Sequence, residues 1–175
     1  MWRARPALVL LLLVLTATAS IGAPPATLHK VINKASSAPL PESLFESTYA
    51  VYGKTAEALR HQMSARGPHG YWAYTNWTVR WSRDCHVSLR ISLRLPRLGN
   101  PASVPAALRA RFDTMLRHLR RHEDGHMQNG RSAAAAIAAA HCVGANAIIQ
   151  YWAEQDDIYD RQTDHGATQG AVLAE

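Results

Sequence analysis

The chain has 175 residues, 47% of them apolar, with 19 basic against 13 acidic side chains and a formal charge of +6. That length is one domain with one modest core. Arginine dominates the basic excess, with a dense run in "RARFDTMLRHLRR", Arg109 to Arg121; whether such a run contacts nucleic acid or merely solvates a helix face depends on the compartment, which the N-terminus addresses.

Residues 1–19 have the order of a secretory signal: a basic start (Arg3, Arg5), an apolar run from Ala7 to Leu15, and small residues at Ala17 to Ala19, with Ala23 as an alternative exit. The apolar run is short for a membrane span. No cysteine follows it, which argues against a lipid anchor. The mature chain is therefore expected to be exported, periplasmic or secreted, with no integral membrane segment. Removing residues 1–19 takes away two arginines and no acid, leaving +4. Export removes most nucleic-acid partners, so the arginine run reads as a solvated helix face that an anionic envelope surface could attract. Cys85 and Cys142 read, in that compartment, as a disulfide.

Residues 20–46 are rich in Ala, Pro and Ser and read as a linker, with the folded domain over 47–175. Thr48 to Gly53 is a short β-prone run. A helix follows with Ala56, Leu59 and Met63 on one face, closed by Gly67-Pro68. Trp77, Val79 and Trp81 alternate with polar residues, and so do Cys85, Val87, Leu89, Ile91, Leu93 and Leu95. This period of two predicts two strands in an antiparallel hairpin, one face covered and the other wet, with His86 on the wet face. Pro105 suits a first helical turn with Ser103 as its cap. From there to about Ala140 a stripe runs through Phe112, Met115, Leu116, Leu119, His122, His126, Ala133 and Ile137, interrupted by Gly125 and Gly130. "VGAN" ends it, "AIIQYWAEQDDIYD" reads as another amphipathic helix, and the remainder as a polar tail.

"RRHEDGHMQNG", residues 120–130, puts two histidines on the buried stripe. Side chains at i and i+4 share one helical face, so His122 and His126 can converge on one zinc, while Glu123, a residue further round, points beside the metal, where it can take a proton from water. Chance is the competing explanation: the chain has nine histidines, and His118 and His122 share the same spacing without a glutamate between them. The buried position favours the metal, because two unpartnered buried imidazoles are costly. A catalytic zinc needs a third protein ligand. Ser132 rules out the histidine of the metzincin continuation; the downstream candidates are Glu154, Asp157, Asp160 and His165, and the concentration of groups in "YDRQTDHG" favours His165.

"HEDGH" together with "YDRQTDHGATQG", "YAVYGKTAEALRHQMSARGP", "NWTVRW" and "CHVSLRISLRLP" resembles the bacterial domain of unknown function 922 family over roughly residues 48–170. The specific motifs are H-E-x-x-H, matched by His122, Glu123 and His126, and Y-D-x-x-T-x-H-G, matched by Tyr159, Asp160, Thr163, His165 and Gly166. Members are predicted to be secreted zinc-dependent proteases. The combined expectation is a small α+β, zincin-like domain, an antiparallel sheet packed on a long metal-binding helix with flanking helices. Zn2+ would be held by His122, His126 and His165. Glu123 would be the general base, Tyr159 an oxyanion donor, and Asp160 or Asp164 would orient a histidine. The expected partner is a peptide or protein substrate, envelope-associated proteins among the candidates, and not nucleic acid. The alternative is a non-catalytic exported binding module with a structural metal.

Overall fold

The computed structural model describes residues 40–175. The signal segment and most of the linker lie outside that range. The fold is α+β. Strand β1 (Glu42–Val51) leads to helix α1 (Ala56–Arg66), strands β2 (Tyr74–Trp81) and β3 (Val87–Leu98), then helices α2 (Ala106–Ala139) and α3 (Ala145–Thr163).

The expected hairpin forms: β2 and β3 are antiparallel, Trp77 opposite Ile91 and Val79 opposite Leu89. β3 is the central strand, and its alternation is realised almost residue by residue, Leu89, Ile91 and Leu93 buried while Arg90 and Arg94 are exposed. β1 corrects the all-antiparallel expectation. It pairs with the other edge of β3 in parallel, Leu44 opposite Ile91 and Thr48 opposite Leu95. A parallel partner needs a crossover connection, and α1 with β2 supplies it. β1 also begins inside the stretch read as linker. Its Glu42 and Glu46 reach across to Arg131 and Arg120 of α2.

α1 is capped by Thr55, whose hydroxyl accepts from the Ala58 N–H at 3.2 Å, and it buries Ala56, Leu59 and Met63 as the spacing required. α2 is 34 residues, about 51 Å at 1.5 Å per residue. Ser103 is not its cap. Ser103 belongs to a preceding 3₁₀ turn and donates to the Asn100 carbonyl at 2.9 Å, while Pro105, with φ −51°, occupies the capping position. α2 lies across the covered face of the sheet; its Gly130 meets the Trp77 side chain so closely that an added Cβ would stand 2.7 Å from the indole Cγ. Cys85 precedes β3, in the hairpin loop, and is disulfide-bonded to Cys142 in the α2–α3 turn, with their Cα atoms 5.7 Å apart. Gly144 turns the chain with φ +69°, and α3 returns antiparallel, so that Asp156 stands by His126 and Asp160 by His122. The tail is packed, not loose: Leu173 is buried, and Arg60 of α1 donates to its carbonyl at 2.7 Å. Among the described residues no helix is long and apolar enough to cross a membrane.

Candidate metal centre

His122 and His126 continue the buried stripe of α2, at 3% and 9% exposure, because that stripe faces both the sheet and α3. Their Nε2 atoms are 3.3 Å apart, and both face Oδ1 of Asp160 on α3, at 3.1 Å from His122 and 3.0 Å from His126. These three residues could hold a metal ion. Donor atoms bound at 2.0–2.1 Å in a tetrahedron stand about 3.3 Å apart, so the triangle has the size of one face of such a site.

The outer nitrogens decide the polarity of the inner ones. Nδ1 of His126 faces Asp156 Oδ1 at 3.0 Å, and Nδ1 of His122 faces Gln169 Oε1 at 3.1 Å. With Nδ1–H donating to these oxygens, a neutral imidazole turns its Nε2 lone pair inward. Lone pairs from two nitrogens and a carboxylate then converge, which only a cation relieves. A proton serves this purpose poorly at His122, whose burial and proximity to His126 hold its pKa below the usual imidazole range. At His126 burial also acts downward, but the hydrogen bond to Asp156 and the charges of Asp160, Asp156 and Glu123 outweigh it and raise the pKa.

Asp160, expected behind a histidine or among the downstream candidates, is the third member of this triangle, the place the sequence reading favours for His165. It stands inside the triangle and not merely behind a histidine. His165 is half-exposed; its Nδ1 faces the other carboxylate oxygen, Asp160 Oδ2, at 3.3 Å, and its ring lies against Tyr71. The reason is local. Asp164, His165 and Gly166 take consecutive left-handed conformations, with φ of 48°, 48° and 86°, which end α3 and swing the His165 side chain outward. Asp164 caps the helix end with its backbone and does not reach a histidine. Gly166 needs both its φ and its missing side chain, because a Cβ there would stand 3.0 Å from His122 Cγ. The turn brings Gln169 back onto His122.

Tyr159, expected as an oxyanion donor, packs against both histidines. Its ring stacks on His122, centroids 5.0 Å apart and planes 10° apart, and meets His126 edge-on. Its hydroxyl is taken up by Gln169, whose amide donates to it at 3.0 Å. Gly125 leaves room for this ring on α2. The residues missed from sequence are Gln169 and Asp156. Asp156 also accepts from Asn129 Nδ2 at 2.7 Å and Trp77 Nε1 at 2.6 Å, so it positions His126 from a fixed point. The available signal was its place one helical turn before Asp160, on the same face.

Glu123 is buried at 4% exposure, and its Oε2 has no hydrogen-bond partner. Burial raises its pKa against the opposing influence of hydrogen bonds from Thr75. Glu123, both histidines and Asp160 line one open cleft of about 800 Å³. Its other wall includes Ala73 through Trp77, five consecutive residues of β2 and its approach. Alternate side chains of a strand point to opposite faces, so an unbroken run means that the strand presents its edge. Among the described residues that edge is the free one, because β3 occupies the other.

No curated protein and no solved structure matches the chain. The family model described as bacterial protein of unknown function (DUF922) matches residues 46–166, and the chain belongs to that family.

Proposed function

We propose that this domain is an exported zinc-dependent hydrolase, a metallopeptidase of zincin-like construction on its long helix, with His122, His126 and Asp160 as the metal ligands. The observation that carries the reading is the pairing of a three-donor triangle with a buried, unpartnered carboxyl group, Glu123 Oε2, in the same open cleft. Zinc bound there would supply Lewis acidity for a carbonyl and lower the pKa of water toward about 7. Two imidazoles and a carboxylate suit zinc; they also suit iron(II), which metal analysis distinguishes.

The chain's own residues supply the rest. Asp156 and Gln169 fix the histidine rings from behind. Glu123, its pKa raised by burial, takes a proton from water at Oε2 and returns it to the leaving amine. The free edge of β2 can hold an extended peptide by strand addition beside the helix that carries Glu123. Export, as the signal-like N-terminus suggests, would give the enzyme peptide or protein substrates in the envelope. Glu123→Gln tests the reading, since it keeps size and removes the base. The variant should keep fold and metal content while hydrolysis of an extended peptide falls by at least about 10²-fold. Equal rates in wild type and Glu123→Gln would overturn it.

One observation favours a second reading. His165 stands next to Asp160 and, by a rotamer change, could close a four-ligand shell, which is the mark of a structural site in a binding module. In that case Glu123→Gln changes nothing measurable.

A further inference from the structure

The sheet has two faces, and only one is covered by α2. The register places Arg90 and Arg94 of β3 and Arg80 of β2 on the other face, with serines, threonine, asparagine and Phe45 around them and no acid on that face among the described residues. Arg60, Arg120 and Arg131, elsewhere in the molecule, are paired with carboxylates; among the described residues Arg80, Arg90 and Arg94 are not. Two of the three are laid down in advance. The Arg90 guanidinium lies 4.3 Å over the Phe45 ring and that of Arg94 lies 5.7 Å from the Tyr49 ring centroid, which reduces the side-chain freedom that binding would otherwise remove.

We propose that this face binds a linear acidic polysaccharide. Arg80 stands opposite Ser88, so the three charges follow the seam between β2 and β3 at positions about 0, 7 and 20 Å along the strands. A line of forked cations fits carboxylates spaced along a polymer better than one compact anion. The uncharged hydroxyl and amide side chains between them match sugar hydroxyls. Single-stranded nucleic acid fits less well, because it needs open aromatic faces for its bases, and here Phe45 carries Arg90, Tyr49 is buried and the Tyr74 ring is met by His69. An anionic membrane fits less well too: three arginines contribute about 1 kcal/mol each, and Phe45 is the one large apolar side chain exposed on the face beside them apart from Tyr74.

The test is calorimetric titration of the mature chain with polygalacturonate, with Arg80→Gln/Arg90→Gln/Arg94→Gln compared against Arg111→Gln/Arg117→Gln/Arg121→Gln, which removes equal charge from α2. The sheet variant should bind about tenfold or more weakly and the helix variant within about threefold of wild type, with wild-type binding weakening between 50 and 200 mM salt. Equal weakening in the two variants would reduce the effect to net charge and overturn the proposal. So would tighter binding of wild type to a single-stranded DNA or to phosphatidylglycerol vesicles than to polygalacturonate. Should the triple sheet variant fail to fold, Arg80→Gln, whose side chain lies over no ring, is compared with Arg117→Gln alone, and weaker binding in the first and not the second is the expected result. The measurement is binding alone, so it stands whether or not the cleft hydrolyses peptides.

Discussion

Helices α2 and α3 both contribute to the candidate centre, yet they carry their polar groups in opposite settings. On α2, His122, Glu123 and His126 interrupt a stripe of Phe112, Met115, Leu119, Ala133 and Ile137, all buried. On α3, only Ala145, Ile148 and Thr163 are buried, and the half-buried Asp156 and Asp160 sit beside exposed polar residues, including Glu154 and Asp157. A polar group in an apolar stripe needs a reason, since burying it unpaired costs free energy. A carboxylate on a wet helix needs none. The α2 half of the site is legible for that reason, and the α3 half becomes so only when the two helices are docked.

Ligand removal breaks this comparison most sharply. His122→Ala and Asp160→Ala should each abolish stoichiometric zinc in purified mature protein. His165→Ala should keep it, with affinity reduced by no more than the 10–100-fold typical of an outer partner (about that range). Elemental analysis with a chelator competition separates the three. Zinc retained in Asp160→Ala and lost in His165→Ala would restore the ligand set expected from the tail motif, and with it a role for the half-exposed imidazole that the present geometry does not give it.

Stability far from the centre offers the next contrast. The Cys85–Cys142 bond ties the hairpin loop to the α2–α3 turn across a sequence separation of 57. By the chain-entropy estimate a loop of that length contributes about 4 kcal/mol. Cys85→Ser/Cys142→Ser should therefore lower the denaturation midpoint substantially in both metal-free and metal-loaded protein. A loss confined to the metal-free form would mean that the bond acts through the centre.

The same contrast explains what the sequence disclosed. The hairpin, the three helices and the disulfide followed from strict alternation, helical spacing and the compartment expected from the N-terminus. Of β1 only the end, Thr48 to Val51, did; residues 42 to 48 are exposed and their acids serve arginines of α2, so nothing in "ESLFEST" repeats the pattern of a covered strand. The tail did not, because its burial rests on three successive left-handed residues, and two of these, Asp164 and His165, are not glycine. The two glycines inside α2 were visible only as weaknesses. The structure gives them partners, Tyr159 over Gly125 and Trp77 over Gly130. Gly130→Ala thus sets a helix-propensity gain of about 1 kcal/mol against an overpacking cost of about 1–3 kcal/mol. A net loss of roughly 1 kcal/mol, read as a lower melting temperature, is expected; a gain would show that the Trp77 side chain moves aside at little cost.

The smallest effect lies at the far end of the sheet, where no metal is involved. Tyr49 is buried, and its hydroxyl donates to the Trp72 carbonyl at 2.7 Å, with the Met63 carbonyl at 3.4 Å. An ionised phenolate would keep neither bond and would face two carbonyl oxygens in a site that burial has stripped of water. Burial accordingly pushes its pKa up from 10 to about 12, with Arg94 pulling weakly the other way. A folded-state pKa above the unfolded one means stability that is complete below pH 10 and is lost as pH rises toward 12. Tyrosinate absorbance should show a phenol that ionises only near the top of that window, together with a fall in melting temperature over the same range. Tyr49→Phe should remove the late-ionising phenol and flatten that alkaline fall. Because Tyr49 touches neither histidine, the alkaline arm should be superimposable with and without zinc, whereas the centre's own groups give a metal-dependent response. An alkaline arm that shifts on adding zinc would mean that the two ends of the domain unfold as coupled parts, and that the separation drawn between the covered sheet and the candidate centre does not hold.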